Sequence, residues 1–66
     1  MVSDSKIRKL RLRAGLSQNA LARRANLDRA TVASAEAMKA VSDVSLAKLA
    51  AALDVDIEEI DERNQL

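Results

Sequence analysis

The chain has 66 residues, a net charge of +1, no cysteine, no histidine and no aromatic residue. That length holds one small core, and the missing residue types remove disulfides, thiolate metal sites and the usual general base. With no apolar run near the roughly 20 residues of a membrane span and no charged leader, the expectation is a single soluble, cytoplasmic domain over residues 1–66, neither membrane-bound nor dependent on a cofactor.

The charge is segregated along the chain. Residues 1–30 carry eight Lys and Arg against two Asp, a balance of +6, whereas residues 31–66 carry three against eight, a balance of −5. A protein that turns one end toward a polyanion has such a dipole. Alanine, leucine, arginine and lysine dominate, proline is missing, and no stretch alternates in period two, so the chain reads as all-α.

In chain order, Ser5 caps a first helix with Ile7, Leu10 and Ala14 inward, and Gly15 stops it as the residue that takes φ > 0 freely. Ser17 caps a second helix with Leu21, Ala22 and Ala25 inward. Asn26 ends it, because asparagine tolerates the left-handed conformation. Asp28 caps a third helix, with Val32 and Ala35 facing in and Arg29, Ala30, Ala33 and Ser34 facing out. After a loop around 38–42, Ser42 or Asp43 caps a fourth helix whose Val44, Leu46, Leu49, Ala50 and Leu53 form an apolar stripe. Asp56 caps a short fifth helix containing Ile57 and Ile60, and residues 63–66 are expected to fray. Leu12 falls off the inward stripe of the first helix.

Two short helices joined at Asn26 and Leu27, the second with a small polar outer face, form the pattern of a helix-turn-helix. Ala22 is small where the third helix crosses, Asn26 supplies the left-handed turn, and Val32 fills the angle between the helices. A face as thin as Ala30 and Ala33 can enter a major groove about 12 Å wide.

Leu10-Arg11, Gly15-Leu16-Ser17-Gln18, Leu21-Ala22, Thr31-Val32 and Glu36, followed by Leu49-Ala50, Ala52-Leu53 and Val55, resemble the DNA-binding domain of lambda-type phage repressors and Cro proteins, the XRE-like regulators. The resemblance covers residues 6 to about 60. It implies a compact five-helix domain with helices 2 and 3 as the helix-turn-helix, acting as a sequence-specific regulator of transcription on double-stranded DNA. It departs from the family at Asn26, where a glycine is usual, and at Ala35, commonly a large apolar residue, which leaves the core thinner there. The loop A-M-K-A-V-S-D after Glu36 lacks the usual glycine and proline, with Met38 expected to fill space.

Gln18, at a helix N-terminus, is placed to hold a phosphate, as the matching glutamine does in the family. Arg29 is the best base reader, since a guanidinium bonds two acceptors of guanine at once. Ala30 and Ala33 offer methyl contacts to thymine, Ser34 a short polar contact, Thr31 a hydroxyl for phosphate, and Lys39 a charge beside the backbone. The resemblance further implies a structural ion pair between Arg11 and Glu36. One recognition helix covers few base pairs, so a homodimer on a near-palindrome is expected, joined through Val55, Ile57 and Ile60, with Leu66 as a further candidate.

An enzyme is not expected without histidine, cysteine or a glycine-rich phosphate loop. The stretch D-V-D-I-E-E-I-D-E lacks calcium-loop geometry and reads as a solvated face. The competing function is a protein-interaction module of the same fold, antitoxin-like or an adaptor that binds a protein regulator.

Overall fold

Four α-helices run through residues 5–39 and 41–61, which the computed structural model describes: α1 (Lys6–Arg13), α2 (Gln18–Ala25), α3 (Arg29–Glu36) and α4 (Asp43–Leu53). Three begin at a serine whose hydroxyl satisfies an N–H that the helix leaves open. Ser5 accepts from Arg8 N at 3.1 Å, Ser17 from Ala20 N at 3.0 Å and Ser42 from Ser45 N at 3.1 Å.

All four end in the same way. The chain turns through a left-handed residue, Gly15 (φ 75°), Asn26 (φ 58°), Met38 (φ 62°) or Asp54 (φ 59°). The next N–H then reaches back five residues, from Leu16 to Arg11 O (3.1 Å), Leu27 to Ala22 O (2.8 Å), Lys39 to Ser34 O (2.9 Å) and Val55 to Ala50 O (3.0 Å). This is the Schellman closure, which satisfies carbonyls the last turn would otherwise leave open.

The helices meet over a core in which Leu21, Val32 and Leu49 are fully buried, surrounded by Ile7, Ala22, Ala25, Ala35, Leu46, Ala50 and Ile60. α2 packs on both α3 and α4, and α1 lies against α3 and α4. The alanines at 22, 25, 35 and 50 let the short helices approach closely. Ala35 is covered despite its size.

Besides the cap of α3, described below, the structure departs from the sequence expectations at five places. The fifth helix is a single 3-10 turn, Ile57–Glu59, so the described residues hold four α-helices. Asp54 diverts the chain after α4, and the Glu59 carboxylate accepts from Asp56 N at 3.0 Å, a capping contact at the start of the short turn. Val44 is 64% exposed, because it precedes Leu46 by two residues and so lies about 200° round α4 from the buried stripe. Ala14 is exposed as the C-cap of α1. Met38 fills no space: it is exposed and spends its place on the left-handed turn. Ile60, expected on a dimer seam, is 1% exposed and belongs to the core, since the 3-10 turn folds it back onto α4. The fraying expected over 63–66, and Leu66 as a seam residue, lie outside the described residues.

Candidate nucleic-acid interface

The turn between α2 and α3 is built from three residues. Asn26 takes the left-handed bend, Leu27 drops toward the core, and Asp28 resumes extended backbone (φ −86°, ψ 159°) before α3 starts. Ala22 and Val32 are both buried at this junction, so the two helices are fixed at their crossing rather than hinged.

A cluster around Glu36 locks the far end of α3. Arg11 Nε donates to Glu36 Oε2 at 2.5 Å and its terminal Nη2 to Oε1 at 3.2 Å, a two-point guanidinium–carboxylate pair. The remaining terminal nitrogen, Nη1, donates to the carbonyl of Leu16 at 2.8 Å. Arg11 therefore ties the closing turn of α1 to the last turn of α3. Gln18 Nε2 also donates to Glu36 Oε1, at 3.2 Å. The Arg11 and Glu36 side chains are 10% and 6% exposed, so the pair is shielded from solvent competition. Among the described residues no buried side-chain nitrogen or oxygen lacks a partner.

Gln18 thus stands at the start of α2 with one amide hydrogen committed to Glu36 and the second without a partner among the described residues. On α3, Arg29 and Ala30 are exposed, while Thr31, Ala33 and Ser34 are half-buried. Lys39 is exposed just beyond α3, and Arg23 and Arg24 are exposed on the last turn of α2. The structure gathers Gln18 to the Arg11–Glu36 pair and sets Arg29 apart at the opposite end of α3. Val55 and Ile57 are half-buried near α4, away from this cluster in the chain and packed against the core.

Two features escape a reading by residue type. The first is the Leu16 carbonyl, which no side-chain pattern marks as a partner of Arg11. The second is Asp28, whose carboxylate forms no capping hydrogen bond to α3 and instead accepts from the Thr31 hydroxyl. That bond holds the Asp28 pKa below the ordinary carboxylate value; loss of water opposes the effect, and the N–H groups of Asp28 and Thr31 assist it. The D-x-x-T spacing is the signal that could have found it.

The helix-turn-helix family profile matches residues 7–60, a span that takes in α1 through the 3-10 turn. The chain belongs to the helix-turn-helix family. Its type is that of the XRE and Cro/C1 regulators, which bind DNA and regulate transcription. Among curated proteins and among solved structures, no match to the chain is found. Within this helix-turn-helix domain, no helix of the described residues is long and apolar enough to cross a membrane.

Proposed function

We propose that the protein is a transcriptional repressor that binds a near-palindromic operator as a two-fold dimer, with α3 in the major groove. The observation that carries this reading is the outer face of α3, small along its length and opened by the exposed Arg29, on a helix anchored at its other end by Glu36. Arg29 reads a guanine edge, the methyl groups of Ala30 and Ala33 meet thymine, and Ser34 adds a short polar contact. Gln18 uses its second amide hydrogen on a phosphate, with Lys39 as a further backbone contact, whereas the Thr31 hydroxyl, expected to meet a phosphate, gives its one hydrogen to Asp28 and is available only when that bond opens. In this reading residues 1–66 work as one DNA-binding domain.

The protein measures 31 × 26 × 20 Å, so two copies joined along one edge can set their recognition helices about 34 Å apart, one turn of DNA. Val55 and Ile57, both half-buried, form the seam between them. Ile60 is no part of it because it is used in the core.

The test is a titration with operator and unrelated duplexes at two salt concentrations, alongside Ile57→Asp. A reader that neutralises several phosphates weakens steeply as salt rises, and the variant, whose folded fraction is measured alongside because Ile57 also packs against the core, loses cooperative binding beyond any loss of folded protein. Binding without a salt slope points to the protein-interaction module instead. One protomer per operator sinks the dimer.

A further inference from the structure

We infer that Asp54, Asp56 and Glu59 oppose the pairing of two copies through the Val55 seam, so that salt strengthens the dimer while it weakens DNA binding. The inference rests on the two-fold dimer proposed above and adds what regulates it.

Val55 does not stand on a plain apolar surface. It lines an open depression together with Ala51 of α4 and with Asp54, Asp56 and Glu59. These three carboxylates are exposed, and among the described residues no cation pairs with any of them. Their places are set by the backbone. Asp54 is the left-handed residue that ends α4, Asp56 precedes the 3-10 turn, and Glu59 turns back to accept from Asp56 N. The fold thus holds three acidic side chains around the half-buried Val55.

A two-fold contact brings the same patch of both copies together. The carboxylates of one depression then face those of the other, and the patch contains no cation to lie between them. Like charges set opposite one another disfavour association. The Debye length is about 30 Å at 0.01 M salt, which leaves this repulsion nearly unscreened, and about 3 Å at 1 M, where the apolar contact of Ala51 and Val55 acts with little opposition. Contacts to phosphate have the reverse dependence, since salt weakens them. Free protein at low salt is therefore monomeric. Two copies pair where an operator holds them side by side and raises their effective concentration.

The experiment is sedimentation equilibrium without DNA at about 0.01 M and about 1 M sodium chloride, on the wild type and on the triple variant Asp54→Asn, Asp56→Asn, Glu59→Gln. The substitutions respect the backbone: asparagine tolerates the left-handed position and the cap, and glutamine keeps an oxygen that can accept from Asp56 N. Thermal midpoints verify that the variant is folded. The wild-type dimer is expected to tighten about ten-fold or more between the two salt concentrations. The variant dimerises at low salt about as tightly as the wild type at high salt, and its own response to salt is small. Salting-out of an apolar seam would strengthen both proteins alike, so equal salt responses overturn the inference. If neither salt nor the variant strengthens association, the carboxylates do not govern the seam and the inference fails, even where two protomers per operator sustain the dimer. A single protomer on each operator means that the dimer itself is wrong, and this inference falls with it.

Discussion

The four helix ends of this protein share one backbone closure but are held in two ways. Where α1, α2 and α4 finish, the residue after the left-handed turn is Leu16, Leu27 or Val55, each partly buried against the core. Where α3 finishes, that residue is Lys39, exposed, and the left-handed position is filled by Met38 rather than by glycine, asparagine or aspartate. An apolar contact from the residue after the turn normally accompanies this closure. α3 does without it, and the Arg11–Glu36 pair one turn earlier supplies the anchor. The end of α3 is thus fixed by a polar cross-link while the ends of its neighbours are fixed by apolar seals. The difference leaves Lys39 exposed just beyond α3, next to the exposed Met38.

Removing the polar anchor should have the largest effect. Glu36→Ala leaves Arg11 buried and without its carboxylate, which costs about 3–5 kcal/mol, a large part of the stability of so short a chain. Chemical denaturation measures this directly, and a loss under about 1 kcal/mol would mean that the anchor lies elsewhere. Removing an apolar seal is milder: Leu27→Ala should cost about 1–2 kcal/mol, because the side chain is only half-buried and creates a partial cavity. A loss equal to that of Glu36→Ala would erase the contrast between the two kinds of helix end.

The unusual residue of the α3 end allows a change of opposite sign. Met38→Gly removes a side chain from a left-handed backbone and should stabilise by about 0.5–1 kcal/mol after the extra entropy of glycine in the unfolded chain is subtracted. The melting midpoint should rise by about 2–8 °C, and a fall would show that Met38 makes a contact worth more than its strain. Lys39→Ala, at the exposed position that replaces a seal, should alter stability by less than about 0.5 kcal/mol while weakening DNA binding. Equal stability losses for Lys39→Ala and Leu27→Ala would contradict the assignment of Lys39 to solvent.

The smallest effect concerns the opposite end of α3. The pKa of Asp28 is lowered by the Thr31 hydroxyl, so its contribution to stability is present above the ordinary value of 3.8 and is lost as pH falls through the lower folded value. In Thr31→Ala the Asp28 carboxyl should titrate closer to 3.8, which carbon-detected NMR can follow. An unchanged titration would remove Thr31 as the cause.

The sequence by itself determined the helices and most of their boundaries. Ser5, Ser17 and Ser42 are local acceptors for the first turn, Gly15 and Asn26 tolerate positive φ, and the spacing of Leu21, Ala22 and Ala25 or Leu46, Leu49 and Ala50 defines a buried face from 3.6 residues per turn alone. These are short-range effects, carried within four or five residues, and a sequence displays them directly. The same holds for the outer face of α3, whose small residues stand at the opposite angle to Val32 and Ala35. Tertiary structure alone decided the rest. Met38 has no intrinsic preference for a left-handed turn, and it adopts one because α3 must stop where Glu36 meets Arg11 from a different helix. Ile60 is buried because the 3-10 turn returns it to the core beside α4. Such outcomes depend on which surfaces lie across from one another, and on the choice of Arg11 to bond a main-chain carbonyl at Leu16, an acceptor that every residue carries and no sequence pattern distinguishes.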